Sequence, residues 1–461
     1  MIKQFTLSKK MIAVISGIIV LLGIYTGMSV YFTNHFFFGT KLNNSDIAGK
    51  TVEQVNDAMT EKTKTYSLNV QERNGASESI SASDIGLKDN SEEIVSNLKN
   101  SQKAFNWLLG SIFKKDTVVE QTVDYDQTLL DKAIKNLKCL QGNNVVQPQN
   151  PTIDYSNGQY VINKEIIGNK LDKDSVKDNI TNAVKVLNTN VDLEAANCYI
   201  NPSYTSNSQE VTAAKDALTK YISAKITYTI GNSVEVVGPD IIKGFTTVSS
   251  DYQVSLDKDK VYAYVLSLAK KYNTYGKTRT FTTSLQTQVS VSGGDYGWIV
   301  DKNAETEALM SDIENGQVTT KDLTYTQTAT SHDANDIGNT YVEINLTTQH
   351  LWFYKNGSLV TQGDVVTGNV ANNTATPTGV YYIKTKEKNA TLKGEDYATP
   401  VNYWMPFNGG IGIHDALWRD KFGGTIYQTS GSHGCINSPI DLVTAIYNSI
   451  DAGTPVIVYN N

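Results

Sequence analysis

The sequence predicts a multidomain chain: an N-terminal transmembrane helix, two α+β modules in tandem, and a C-terminal mostly-β, sandwich-like domain. Three observations carry this. An uncharged run from Met11 to Phe32 is long enough to cross a bilayer, two middle segments repeat one another, and beyond residue 336 short alternating strands replace helical periodicity. A length of 461 residues is too great for one ordinary core and suggests about three domains.

Lys3, Lys9 and Lys10 precede the uncharged run. As a helix the run is about 33 Å long, against a hydrocarbon core of roughly 30 Å. Lysines on its N-terminal side place that side in the cytoplasm. Residues 1–10 are then a cytoplasmic tail, 11–33 a signal anchor, and everything beyond lies outside the cell. A cleaved signal peptide is the alternative. The run exceeds a usual signal core and no A-x-A-like site follows it, which favours an uncleaved anchor. Tyr25, Tyr31 and Phe36-Phe37-Phe38 fit the outer interface.

The modules are expected at 34–205 and 206–335. Thr51 with Gln54 reads as a capped helix start. Residues 66–70 and 79–87 read as strands, and 91–110 and 126–140 as helices. The repeat pairs 68–87 with 226–245, ending in SASDIGL and GPDIIKGF. It also pairs 154–174 with 293–307, each an aromatic strand followed by a helix (174–188 and 303–315). The break falls near Asn201-Pro202 to Ser208. These segments resemble the peptidoglycan-binding domain found ahead of some wall enzymes. Neither carries a catalytic constellation, so a spacer role and wall binding both stay open.

A net charge of −7 and a pI near 5.4, with no basic block, argue against a nucleic-acid partner. Arginine is scarce: only Arg73, Arg279 and Arg419 occur. The cysteines are Cys139, Cys198 and Cys435. An exported chain is compatible with a 139–198 bridge that leaves Cys435 free, or with three reduced thiols.

From 336 to 461 the pattern is that of a compact sandwich. Tyr341–Leu346 alternates at period two, and Lys355-Asn356-Gly357-Ser358 is a hairpin turn signal. Further strands are expected at 359–367, 379–385 and 455–459, and one helix near 439–451 opened by Ser438-Pro439. Within this domain lie Ile413-His414-Asp415 and Ser430-Gly-Ser-His-Gly-Cys-Ile-Asn437. A thiol attacks as thiolate and is mostly protonated near neutrality unless a base takes its proton. His414 ends an apolar strand that would orient it, and Asp415 can hold its other ring nitrogen by side chain or carbonyl. His433, two residues from Cys435, suits a structural or substrate-contacting place. The amides of Gly434 and Cys435 can face an oxyanion. A metal site from His414, Asp415, His433 and Cys435 lacks a supporting ligand pattern, so no metal is expected.

His414 followed by Ser432-His433-Gly434-Cys435-Ile436-Asn437 resembles the signature of the L,D-transpeptidase family, the YkuD-type catalytic domain, over about 341–459. The likeness implies Cys435 as nucleophile, His414 as base and Asp415 as the third member, with Ser432, His433, Gly434 and Asn437 completing the pocket. It implies no cofactor, and peptidoglycan stem peptides as acyl donor and acceptor. Members of the family release D-Ala from tetrapeptide stems and form 3→3 cross-links, with inhibition by carbapenems. An L,D-carboxypeptidase using water and a non-catalytic wall-binding protein are the alternatives. Residues 397–407, aromatic and bracketed by Pro400 and Pro406, are expected as a loop-like lid carrying Tyr397, Tyr403 and Trp404, with Trp418 walling the cleft. Arg419 is a candidate for a substrate carboxylate or a surface pair.

Overall fold

Charge-free sequence and a side-chain cap define the first element. In the computed structural model, which describes residues 8–42, 45–112, 123–142, 144–333, 335–394 and 398–461, Ser8 accepts the Met11 amide and helix α1 spans Lys9–Asn34. Among the described residues it is the one helix long and apolar enough to cross a membrane. The chain beyond it forms two compact units, residues 1–152 with 163–206, and residues 153–162 with 207–461.

The first unit follows one plan. Helix α2 (Val52–Lys64) starts at the expected Thr51–Gln54 capping box and turns Val55, Met59 and Thr63 inward at helical spacing. Strands β1 (Ser67–Gln71) and β2 (Ser77–Ser81) form an antiparallel pair. The strand expected to reach Leu87 stops at Ser81, because Ser81 and Asp84 make a reciprocal cap that opens a helical turn over Ala82–Ile85. The helix expected over 91–110 ends at Ser101, and a separate short helix follows at Trp107–Ile112. Helix α3 (Gln127–Lys135) is capped by Asp126. Cys139 and Cys198 are free thiols. The plan closes, after strands β3 (Thr152–Ser156) and β4 (Gln159–Asn163), with α4 (Lys173–Lys185) and β5 (Asn190–Asp192), which pairs parallel to β1.

The second unit repeats this order. It runs α5 (Gln209–Ile222), β6 (Lys225–Ile230), β7 (Ser233–Val237), α6 (Lys258–Tyr272), β8 (Arg279–Thr282), β9 (Gln288–Val291), α7 (Lys302–Glu314) and β10 (Val318–Lys321). Its sheet order β7-β6-β10 reproduces β2-β1-β5, with the same parallel closing pair. One detail of the repeat differs from expectation. In element order the aromatic hairpin β3–β4 corresponds to β8–β9, and the Gly293–Val300 stretch comes one step later.

Both hairpins leave the sheet of their own copy. Residues 153–162, expected inside the first module, belong to the second unit. There Ile153, Tyr155 and buried Tyr160 pack into a core with Ile226, Phe245 and Val265. Tyr160 also meets Thr246 Oγ1 at 3.2 Å. The hairpin's apolar side chains find cover there, and removal of that area from water is the driving term. The β8–β9 hairpin does the same one step on: Phe281 and Val291 share a core with Val380, Ile457 and Tyr459.

The C-terminal domain stacks two sheets over one core. Strands β11 (Tyr341–Asn345), β12 (His350–Lys355), β13 (Ser358–Asp364), β14 (Gly379–Tyr382) and β19 (Pro455–Tyr459) form one sheet in the order β13-β12-β11-β19-β14. Strands β15 (Glu387–Lys393), β16 (Ala398–Asn408), β17 (Ile411–Asp415) and β18 (Ile436–Ser438) form the other in sequence order. Asn356 and Gly357 both take positive φ at the expected hairpin turn. Helix α8 (Ile440–Ser449) begins after Pro439 and adds Leu442, Val443 and Ile446 to the core between the sheets.

Polar groups fasten this domain to the hairpin preceding it. Buried Glu343 accepts the Ser284 amide at 3.0 Å, the Ser284 hydroxyl at 2.6 Å and the Tyr459 hydroxyl at 2.6 Å. Buried Arg279 pairs with buried Asp336 at 2.6 Å and 2.9 Å and also donates to the carbonyls of Thr274, Lys277 and Tyr296. Breaking such a pair strands the other charge and costs about 3–5 kcal/mol. Arg279→Ala is therefore expected to lower unfolding stability by about that amount in urea titrations of the full chain. A change within about 0.5 kcal/mol, the size of an ordinary surface substitution, would show the pair to be dispensable.

Candidate active site

Strand register gathers the site. β17 and β18 run parallel with His414 opposite Asn437 and Ile413 opposite Ile436. Side chains alternate across a strand, so Ile413 and Ile436 enter the core while His414 and Asn437 face the other way. Cys435 precedes Asn437 by two and shares its face. His414, Cys435 and Asn437 accordingly line one cleft of about 420 Å³, with Trp418, Arg419, Ser432 and His433.

His414 is 2 % exposed, and its Nδ1 lies 2.9 Å from the backbone carbonyl of Asp415. A proton on Nδ1 leaves the Nε2 lone pair for the cleft. Of the two ways Asp415 was expected to orient the ring, the carbonyl is the one present. The Asp415 carboxylate turns away and accepts the Tyr403 amide at 2.9 Å and the Asn402 amide group at 3.0 Å, tying β17 to β16. The rings of Trp404 and Trp418 flank the imidazole, each centroid 5.9 Å away. Trp404 can sit there because residue 412 is glycine: a Cβ on Gly412 would lie 2.6 Å from both the Trp404 ring and the Met405 carbonyl oxygen.

Cys435 is 9 % exposed, with Sγ 3.5 Å from the Gly410 carbonyl. The turn that carries it is closed by Ser432, whose hydroxyl donates to the Cys435 carbonyl at 2.6 Å and accepts the Gly434 amide at 3.0 Å. This corrects the expectation for Gly434: its amide is engaged in the turn by Ser432 and its carbonyl accepts Thr376 Oγ1 at 2.7 Å. Gly434 holds φ +117°, a conformation that L side chains rarely adopt. Asn437 fixes the turn from behind, exchanging both backbone hydrogen bonds with Val366 at 2.9 Å.

Burial pushes the His414 pKa below its ordinary value; the Asp415 carbonyl and charge oppose this, and Arg419 adds to it. Burial pushes the Cys435 thiol up, against a Gly412 amide that favours the thiolate. Both directions favour the uncharged forms at rest, a thiol and a neutral imidazole.

The lid expectation is corrected. Residues 398–408 are the long strand β16, paired to β15 and β17. Tyr403 packs on Tyr447 of α8, ring centroids 4.9 Å apart, and is not among the side chains that line the cleft; Tyr397 lies outside the described residues. Bulges and an exposed partner strand accommodate the prolines that suggested a loop. Leu392 and Thr399, a cross-strand pair on β15–β16 missed in sequence, are what this hairpin contributes to the cleft. Also missed were Thr374 and Thr376, whose hydroxyls donate to the Ser432 and Gly434 carbonyls. The Thr-Ala-Thr-Pro-Thr-Gly run was their only signal, and it reads as an ordinary turn. Arg419 lines the cleft with its Nε buried and, among the described residues, unpartnered, and burial lowers its pKa.

Comparisons with known proteins bear on this geometry. The family model described as "L,D-transpeptidase catalytic domain" matches residues 339–458, and "Putative peptidoglycan binding domain" matches 78–192 and 204–321. Among solved structures, the Ldtfm–avibactam carbamoyl enzyme is 36 % identical, covering 54 % of this chain and 99 % of its own, with TM-score 0.47. A Cys-to-Ser mutant of the Enterococcus faecium L,D-transpeptidase is 36 % identical over 54 % of this chain and 100 % of its own, with TM-score 0.46. The catalytic domain of the E. faecium enzyme acylated by ertapenem is 44 % identical over 26 % of this chain and 98 % of its own, with TM-score 0.25. No curated protein matches.

The neutral resting pair has a measurable signature. Alkylation of Cys435 by iodoacetamide, followed by peptide mapping, is expected to rise roughly tenfold per pH unit from pH 6 to beyond pH 8.5, as for a thiol with a raised pKa. A plateau already present at pH 6–7 would instead report a preformed thiolate–imidazolium pair.

Proposed function

Because this chain belongs to the L,D-transpeptidase family, with two peptidoglycan-binding-type domains ahead of the catalytic one, we propose that it cross-links peptidoglycan stems through a thioester on Cys435. The carrying observation is the shared cleft of His414 and Cys435, with Nδ1 held by the Asp415 carbonyl so that Nε2 is the free base. Cys435 Sγ attacks the carbonyl carbon of the third stem residue as its proton passes to His414 Nε2. The tetrahedral oxyanion meets the Cys435 amide, in a site dry enough for such a donor to count. Collapse breaks the amide bond, and D-Ala leaves as the amine with the proton returned by His414. The side-chain amine of a second stem, deprotonated by His414, then attacks the thioester, giving a 3→3 link and the free thiol.

Asp415 acts as a positioning residue: its carbonyl fixes the imidazole and its carboxylate fixes β16 beside it. Ser432 shapes the nucleophile turn, and Asn437 anchors it. Trp404 and Trp418 hold the imidazole between them. His433, exposed at the cleft, is placed to contact a stem. The upstream domains hold the chain to the wall, and α1 anchors it in the membrane with the catalytic domain outside, where the substrate is.

Cys435→Ala is expected to stay folded and to give no mass adduct with a carbapenem, whereas the native chain gains one that maps to Cys435. An adduct of unchanged rate in the variant overturns the mechanism. Tetrapeptide stems incubated with the native chain should yield cross-linked dimers; tripeptides alone would assign the chain as an L,D-carboxypeptidase, with the same thioester resolved by water.

Among the described residues Arg419 Nε has no partner, and a guanidinium at the cleft is suited to a stem carboxylate. Arg419→Gln is expected to raise KM for tetrapeptide about tenfold or more, the loss of roughly 1.5–3 kcal/mol in a charged hydrogen bond, with a smaller change in kcat. An unchanged KM removes Arg419 from substrate recognition.

A further inference from the structure

The segment Ala104–Ile112 has an unusual surface. Phe105, Leu108, Leu109 and Ile112 are 64 %, 47 %, 60 % and 64 % exposed, in a stretch with no charged residue between Lys103 and Lys114. Scattered exposed apolar residues need no explanation, but a contiguous set of large ones marks an interaction surface. This set does not stand alone. The segment lies along α1: the Tyr25 hydroxyl donates to the Phe105 carbonyl, and the Trp107 ring packs near Tyr25 and Phe32, with centroids 6.2 Å and 5.6 Å away. Trp107 and Leu108 line one apolar hollow with Ile18, Leu21, Leu22 and Tyr25.

These contacts fix a depth. Phe32 ends the uncharged run of α1, and Tyr25 lies seven residues inside it, about 10 Å along a helix rising 1.5 Å per residue. The hollow reaches Ile18, fourteen residues and about 21 Å inside Phe32 on the same count, so the segment lies alongside the apolar run of α1 rather than above it. Its backbone is compatible with that place, because Ala104–Asn106 and Trp107–Ile112 are both helical turns. The packing against the residues that follow the span is tight: a Cβ on Gly110 would lie 2.7 Å from the ring of Phe37, three residues beyond the end of α1. Lys99, buried, donates to the Phe32 carbonyl at 2.8 Å and fixes the preceding helix to the end of α1.

We propose that residues 104–112 form a second membrane contact, dipping into the outer leaflet beside α1. The occupant of the exposed apolar face is the acyl-chain region of the bilayer, since the face is continuous with the α1 surface that lipid would cover. The inference rests on α1 spanning the membrane. Its effect is to hold the first unit against the bilayer at two points, so that the base of the ectodomain cannot turn freely about a single helix.

The test uses the full chain reconstituted in phosphatidylglycerol–phosphatidylethanolamine vesicles with brominated acyl chains. Of the five tryptophans, Trp107 alone lies in the first unit. Bromine is expected to quench part of the native emission, and Trp107→Phe to remove that quenching. In case that change disturbs packing, Phe105→Ser with Leu109→Ser, both at exposed positions, keeps Trp107 and is expected to cut the quenching at least twofold. Alkaline carbonate extraction separates the two claims. Retention in the membrane without Trp107 quenching overturns the proposal alone, as does a second copy of the chain cross-linked across the patch. Release into carbonate with no quenching overturns both it and the membrane-span reading.

Discussion

The site depends on one register. Parallel pairing of β17 with β18, His414 opposite Asn437, sets the imidazole and the thiol on one face and sends Ile413 and Ile436 into the core. A one-residue slip of β18 would exchange its faces, burying the Cys435 side chain among aliphatic residues while His414 stayed on the cleft side. The register is held from three sides. Asn437 exchanges backbone bonds with Val366, the Asp415 carboxylate holds β16, and the Ile413–Ile436 layer rewards only this alignment with burial.

Within that frame the electrostatics are those of a dry site. Burial opposes the charged form of both His414 and Cys435, so neither waits as an ion. The arrangement disfavours casual oxidation of the thiol, since oxidation follows thiolate character and exposure. It also explains why Ser432 matters without touching the chemistry. By closing the turn onto the Cys435 carbonyl and the Gly434 amide, it fixes the direction of Sγ.

Much of this was legible in sequence because it is local. The polar cap at Thr51, the Asn356-Gly357 turn, the helix after Pro439 and the His…Ser-His-Gly-Cys spacing are written in neighbouring residues. What stayed hidden depends on contacts distant in sequence. The β16 strand read as a loop because Pro400 and Pro406 outweigh local strand propensity, and only pairing with β15 and β17 restores it. The engagement of the Gly434 amide turns on a hydroxyl rotamer, and the place of Thr374 and Thr376 on a chain crossing some sixty residues earlier. Likewise the Ile153–Ile162 hairpin gives no sign in its own letters that it will complete the core of the following copy.

The buried Arg279–Asp336 pair and the Glu343 hub have a mechanical meaning. On the function proposed above, an enzyme holding a stem by a thioester would for that moment be part of the wall's load path. Force entering at Cys435 would then reach the preceding domain through a shared apolar core and desolvated hydrogen bonds. Nothing like a slack tether intervenes between those two bodies, so the cleft keeps its bearing on the strand it has seized.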